Sequence, residues 1–155
     1  MLVDLKRILL VEDDLMDMEL TLTALEERKL ASEVLVVHDG EEAINYLYSQ
    51  GNFRMRSPGN PLLILLDMKL PKVDGLGVLK RIKSDENLKM IPVVMLTSSR
   101  EEQDVVESYK LGANAYVVKP IDFQDFVEAV KEIGLFWTVI NEPPPEHYQA
   151  AVSLD

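Results

Sequence analysis

The sequence predicts a doubly wound α/β fold, five parallel strands in the order 2-1-3-4-5 with helices on both faces. Three observations predict it. Short apolar runs alternate with amphipathic segments five times over, and parallel neighbours require such crossover connections. The runs lack the polar alternation of a half-exposed strand, as strands buried on both faces should. Run after run also ends in a charged or hydroxyl-bearing residue, the pattern of a sheet whose carboxyl edge carries the chemistry.

The elements follow in order. Arg7 to Val11 is a short apolar run that stops at Glu12-Asp13-Asp14, a buried strand with charge at its end. Leu15, Met18, Leu22 and Leu25 recur at helical spacing to about Leu30, with acids at the start and Arg28 and Lys29 at the end, as the helix dipole favours. Val34-Leu-Val-Val37 is the second strand, and Asp39-Gly-Glu-Glu opens a helix through about Ser49 whose apolar face is Ala43, Ile44 and Leu47. Residues 50–60, with Gly51, Pro58 and Gly59, form a polar loop expected on the surface.

Leu62-Leu-Ile-Leu-Leu66 is the third strand and ends in Asp67. The loop Lys69-Leu-Pro-Lys-Val-Asp-Gly75 leads to a helix with Leu76, Val78, Leu79 and Ile82 on its apolar side. Pro92-Val-Val-Met-Leu96 is the fourth strand, followed by Thr97-Ser-Ser and an acidic helix start at Glu101; Leu111-Gly112 ends that helix, the glycine suiting a left-handed cap. Ala115-Tyr-Val-Val118 is the fifth strand and closes in Lys119-Pro120. The last helix runs from Asp122 to about Ile140, and residues 1–140 are expected to be one domain. Residues 141–155, with Pro143-Pro-Pro145, form a tail expected to be extended or disordered. The strand order is the flavodoxin-like one, in which the first and third strands adjoin at the point where ligands bind.

Composition narrows the function. With 16 basic and 27 acidic residues the formal charge is −11, and no Lys/Arg-rich block offsets it locally, which argues against nucleic-acid and anionic-membrane binding. The absence of cysteine excludes disulfides and thiolate metal sites and fits a reducing compartment, with the cytoplasm as the default. The start of the chain reads as no signal peptide, and no uncharged apolar run reaches the ~18 residues of a membrane span.

Singly, the strand-end residues have ordinary readings: Asp13 or Asp14 as a helix N-cap, Thr97-Ser98 as a capping segment, Lys119 as a solvated strand end. Together, four of the five strands deliver Glu12 and Asp13, Asp67, Thr97 and Lys119 to one edge. Like charges ~4 Å apart repel by roughly 4 kcal/mol at an effective dielectric of 20, so three acids there require positive compensation. Lys119 is one source. A hard divalent cation is the other, and oxygen-only ligands without His or Cys favour Mg2+ over zinc. A carboxylate beside such an ion can attack phosphorus and form an acyl phosphate, with Lys119 and the Thr97 hydroxyl neutralising the equatorial oxygens.

The residues resemble the receiver domains of two-component response regulators. The resemblance is carried by Ile-Leu-Leu-Val-Glu12-Asp13, Leu-Leu-Asp67-Met-Lys-Leu-Pro-Lys-Val-Asp-Gly, Val-Val-Met-Leu-Thr97-Ser and Gly-Ala-Asn-Ala-Tyr116-Val-Val-Lys119-Pro120, in the family's order from Arg7 to about Ile133. It implies Asp67 as phosphoryl acceptor, Asp13 as a direct metal ligand, Glu12 acting through water, and the Lys69 backbone carbonyl as a further ligand. It leaves Asp14 as a cap. Tyr116 reads on pattern alone as a half-buried strand tyrosine. The resemblance makes it a switch that rotates when Thr97 is drawn toward the phosphoryl group, and makes Lys119–Pro120 a cis peptide. His38 and His147 read as solvated surface residues, so a partner histidine kinase would be the phosphoryl donor.

Two departures from a minimal receiver stand out. The 50–60 loop is long, and Arg54 and Arg56 form its one basic pair, either a partner contact or a tolerated insertion. In the last helix Phe126, Val130, Ile133, Trp137 and Ile140 make a core stripe, while Leu135, Phe136 and Val139 project elsewhere. That surplus apolar surface predicts a homodimer or a kinase contact, against a helix end that folds back on its own sheet. With the Phe-Trp before a proline tail, the chain is similar to stand-alone regulators partnered with bacterial phytochrome kinases, acting through protein contacts. A small phospho-aspartate hydrolase and a phosphorylation-independent adaptor of the same fold are the competing functions. The first needs a substrate-covering cap, and the second gives no reason to gather three acids.

Overall fold

A computed structural model describes residues 7–145. Strands β1 (Ile8–Val11), β2 (Val34–Val37), β3 (Leu63–Leu66), β4 (Val93–Thr97) and β5 (Ala115–Val118) pair in parallel in the order β2-β1-β3-β4-β5. The register places Val11 beside both Val37 and Leu66, so β1, β2 and β3 end level with one another. Successive strand residues point to opposite faces, and each face therefore has its own core. Leu9, Val11, Ile64, Leu66, Val93 and Met95 pack on one side against α2 (Gly40–Leu47) and α3 (Gly75–Lys83), through Ala43, Tyr46, Val78, Leu79 and Ile82. Ile8, Leu10, Leu63, Leu65, Val94 and Leu96 pack on the other against α1 (Leu15–Glu26) and α5 (Phe123–Leu135), through Ala24, Leu25, Phe126, Val127 and Val130. The central strands β1, β3 and β4 are buried throughout, which is why their sequences carry no polar alternation.

The helices begin where the sequence supplies caps. Asp14, Asp39, Asp74 and Asp122 each accept a hydrogen bond from a backbone N–H in the first turn of α1, α2, α3 and α5. Helix α4 (Glu102–Leu111) ends at Gly112 in the left-handed region, φ 107°, as its sequence predicts. Among the described residues no helix is long and apolar enough to cross a membrane.

Several expectations are corrected. Helix α1 stops at Glu26, short of Leu30: Lys29 turns left-handed at φ 58°, the Leu30 N–H returns to the Leu25 carbonyl, and Leu30 joins the core. No glycine marks that turn. Leu15 does not join the apolar face of α1 but is exposed together with Met16, because the first turn of α1 stands beyond the edge of the sheet. The 50–60 loop is polar, yet Arg56 is only 6% exposed. Its guanidinium stacks 4.5 Å from the Tyr46 ring centroid and donates to the carbonyls of Tyr46, Leu47, Ser57 and Gly59. It ties the loop to the carbonyl end of α2, so the basic pair is not a partner surface. Arg54 alone is exposed.

The last helix changes character at Phe136, where a π-helical turn runs to Ile140. Its wider turn rotates the residues beyond it, so Ile140, placed by α-helical spacing on the core stripe, is 63% exposed. Trp137 still packs on the core, and Arg7 donates to the Thr138 carbonyl at 2.8 Å. Leu135 is partly buried, while Phe136 and Val139 are 44% and 64% exposed. Within the tail, residues 141–145 form no helix or strand, and Pro143 and Pro144 lie against Pro61, Leu62, Ile91 and Pro92 at the amino edge of the sheet. The remainder of the tail, with His147, lies outside the described residues.

Candidate functional site

The carboxyl edge of the sheet assembles the site because each strand end is pinned to its neighbour. Glu12 follows β1 and its N–H donates to the Val37 carbonyl; Asp67 follows β3 and its N–H donates to the Val11 carbonyl; Lys119 follows β5 and its N–H donates to the Thr97 carbonyl at 2.7 Å. Extending the ladders by one residue turns these side chains to the same edge. One carboxylate oxygen from each of Glu12, Asp13 and Asp67 lies within 4.8 Å of the others. The donor set is all oxygen, carried on two adjacent strand ends, and fits a hard divalent cation.

Lys119 reaches this cluster from the far strand. Its Nζ lies 2.7 Å from Glu12 Oε1, 3.1 Å from Asp67 Oδ2 and 2.7 Å from Asp17 Oδ2. The expected cis peptide is corrected here: the Lys119–Pro120 bond is trans, and among the described residues no cis bond occurs. The four-carbon side chain of Lys119 spans the gap from the end of β5 to the acids.

Electrostatics follow burial. Glu12 is 2% exposed, and desolvation pushes its carboxyl up to about 8, with Lys119 opposing the shift and the neighbouring Asp67 adding to it. Burial acts to lower the Lys119 ammonium, but its hydrogen bonds to Asp17 and Glu12 and the charge of Asp67 hold it above the ordinary lysine value. Three carboxylates, Glu12, Asp17 and Asp67, share this one ammonium, with Asp13 close by, so it offsets only part of the desolvation of Glu12.

Access differs among the acids. Asp13, Asp17, Asp67, Lys69, Ser98 and Lys119 line an open depression rimmed by Leu15 and Met16, whereas Glu12 lies beneath it, held by Lys119 and by the Asp14 N–H. Lys69 donates its N–H to Asp67 Oδ1 at 3.3 Å. Asp14 caps α1, as the sequence predicts. His38 is exposed, with Nδ1 3.2 Å from the Glu12 carbonyl oxygen.

Thr97 and Tyr116 are less direct partners than their strand positions suggest. Thr97 is buried, and its Oγ1 accepts from the Ser99 N–H at 3.3 Å; the hydroxyl of the half-buried Tyr116 donates to the Ser99 carbonyl at 3.1 Å. Ser99 therefore stands between them, and its own hydroxyl donates to Asp104 in the first turn of α4. Sequence reasoning missed Asp17 and Ser99. The signal for Asp17 was its place in the first turn of α1, just after the acidic end of β1; Ser99 carried none.

Comparison with known proteins settles the family. Residues 8–131 match the model of the response regulator receiver domain. The chain belongs to that family. This receiver is 43% identical over 132 residues to response regulator Rcp1 of Synechocystis sp., covering 85% of this chain and 88% of that protein. Among solved structures, the phosphorylated cyanobacterial phytochrome response regulator RcpA matches with a TM-score of 0.84 at 42% identity, over 90% of this chain and 99% of that one. The bacteriophytochrome response regulator RtBRR matches with a TM-score of 0.71 at 56% identity, over 99% and 95%. The receiver is thus a two-component response regulator similar to regulators tied to phytochromes, and Rcp1 has also been solved in an Mn(2+)-bound form.

Proposed function

We propose that this receiver accepts a phosphoryl group on Asp67 from a partner histidine kinase and passes the signal on through protein contacts. The observation that carries the reading is the position of Asp67: it opens on the depression, lies within cation-sharing distance of Glu12 and Asp13, and is touched by Lys119. One Asp67 oxygen forms a bond to phosphorus as the P–N bond of the donor phosphohistidine breaks, and the imidazole nitrogen leaves with the electron pair and gains a proton from solvent. No general base is needed, because a carboxylate nucleophile has no proton to give up as it attacks. The chain catalyses only this acceptance and the later hydrolysis.

Asp13, Asp67 and the Lys69 backbone carbonyl are proposed to hold Mg2+, with Glu12 acting through water, which agrees with the burial of Glu12 below the opening. Bound there, the ion supplies charge neutralisation for the transferring phosphoryl oxygens. Lys119 balances the same charge from the other side, and the Thr97 hydroxyl would donate to it after moving from its bond with the Ser99 N–H. Movement of Thr97 toward the phosphoryl group would give up the Ser99 N–H, and Tyr116, held on the Ser99 carbonyl, would respond; this supports Tyr116 as the switch.

The likeness to phytochrome response regulators supports a phytochrome-type kinase as donor. The exposure of Phe136 and Val139, next to the partly buried Leu135, supports a homodimer formed through the last helix. The net charge of −11 supports neither nucleic acid nor an anionic membrane as partner, and the absence of cysteine is consistent with a cytoplasmic location.

Incubation with acetyl phosphate and Mg2+ should yield a base-labile phosphoprotein that is absent in Asp67→Asn; labelling that survives in that variant defeats the reading. Sedimentation at micromolar concentration should give a dimer that Val139→Glu dissociates, and a monomeric native chain defeats the dimer.

A further inference from the structure

Asp17 forms one of the two shortest bonds to the Lys119 ammonium, 2.7 Å, yet it follows no strand and belongs to none of the sheet-edge positions. Its backbone is committed to α1: the N–H donates to the Asp14 cap and the carbonyl accepts from the Thr21 hydroxyl. The carboxylate is left to reach out of the helix toward the depression, where its only recorded partner among the described residues is Lys119. An ammonium has three donors. Here they go to Glu12, Asp17 and Asp67, and the Asp67 bond is the longest, 3.1 Å.

We infer that Asp17 is a positioning residue for Lys119, an anchor on α1 that holds the ammonium over Asp67 so that one donor can pass to a phosphoryl oxygen. The inference rests on the reading of Asp67 as phosphoryl acceptor. Formation of the acyl phosphate removes the charge of the Asp67 carboxylate and weakens it as an acceptor, while Glu12 and Asp17 keep theirs. The donor that faces Asp67 is therefore the one released, and the ammonium turns to the new anion without leaving its other two bonds. Without Asp17 the side chain regains rotamer freedom, and its charge settles on Glu12 and Asp67, the oxygens a divalent cation needs.

The test uses the full chain and beryllium fluoride, an inorganic phosphoryl mimic, titrated at saturating Mg2+ and read by the fluorine NMR signal of the bound species. Asp17→Ala should weaken binding about ten-fold, the scale of a charge-assisted hydrogen bond at a partly solvated site. Asp17→Asn, which keeps an oxygen acceptor at the same reach, should recover most of that loss. A second readout needs no variant: the Lys119 Nζ resonance of the unmodified chain should exchange slowly with water and show coupling across the hydrogen bond to the Asp17 carboxyl carbon.

Equal or tighter binding by Asp17→Ala, or a freely exchanging Lys119 ammonium, overturns the anchor. Loss of base-labile labelling in Asp67→Asn together with unchanged binding in Asp17→Ala would sink this inference and leave the phosphoryl-acceptor reading standing. Labelling that survives in Asp67→Asn would remove that reading, and this inference with it.

Discussion

The Lys119 ammonium lies 2.7 Å from Oε1 of Glu12, the most deeply buried acid of the site, and yet Glu12 titrates high, at about 8. One cation is divided among several carboxylates and cannot fully offset the loss of water around this one. The folded chain holds a proton on Glu12 between its ordinary value of 4.5 and about 8, so the stability this proton contributes is complete below 4.5 and is lost as pH rises through 8. Without a divalent cation the melting temperature should fall from pH 6 to pH 8.5, and less steeply in Glu12→Gln. Mg2+ should raise it more at the higher pH. Equal Mg2+ shifts at both pH values would contradict the assignment.

Gly75 fixes the loop that carries Asp67. A Cβ there would lie 2.2 Å from the Asp67 carbonyl oxygen and 2.6 Å from the Met68 Cα, both backbone atoms, and the Gly75 N–H already donates to the Met68 carbonyl. Gly75→Ala should cost about 3 kcal/mol by urea denaturation and sharply reduce labelling of Asp67. In Gly77→Ala the closest meeting is with the Val73 Cγ1, a side-chain atom, and the loss should be well under half as large.

Most of the framework was legible because it depends on short-range rules. Asp14, Asp39 and Asp122, read at helix starts, act as N-caps, and the continuous apolar runs become strands buried on both faces. The strand ends Glu12, Asp67, Thr97 and Lys119 stood out because topology brings every parallel strand to the same edge. What escaped notice depends on partners distant in sequence. Arg56 looks like any loop arginine until the end of α2 presents two carbonyls to it, and Asp17 looks like a helix-start acid until Lys119 arrives. The end of α5 misled in a different way. An α-helical period assigned Ile140 to the core, and one π-turn rotates it into solvent.

Arg56 should matter to stability and not to signalling. Replacement by Met removes donors to four carbonyls and the stack on Tyr46, although the Tyr46 carbonyl keeps the Ser49 N–H, and should cost about 2 kcal/mol. Lysine, a point charge without the planar fork, should recover little of this. The rate of labelling by acetyl phosphate should be unchanged in both variants under conditions where they are folded.

Asp85 supplies a separate acid-sensitive element at the end of α3. Burial acts to raise its carboxyl, but the N–H groups of Leu88 and Asn87 and the Tyr48 hydroxyl donate to it and hold it below 3.8. A depressed carboxyl contributes stability above its unfolded value and loses it as pH falls through the folded one. Asp85→Ala should therefore destabilise by about 1 kcal/mol at pH 7, and the difference from the native chain should narrow as pH falls below 3.8. A difference that persists in acid would assign the loss to packing instead.

The residues that meet at Lys119 are far apart along the chain: 107 positions to Glu12, 102 to Asp17 and 52 to Asp67. Lys119 meets them only once β4 and β5 have joined the sheet, so a phosphate mimic seated there binds the folded chain in preference to a partly folded one. Occupancy of the site then acts as a certificate of completion, and by mass action each bound ligand lengthens the life of the native molecule against proteolysis.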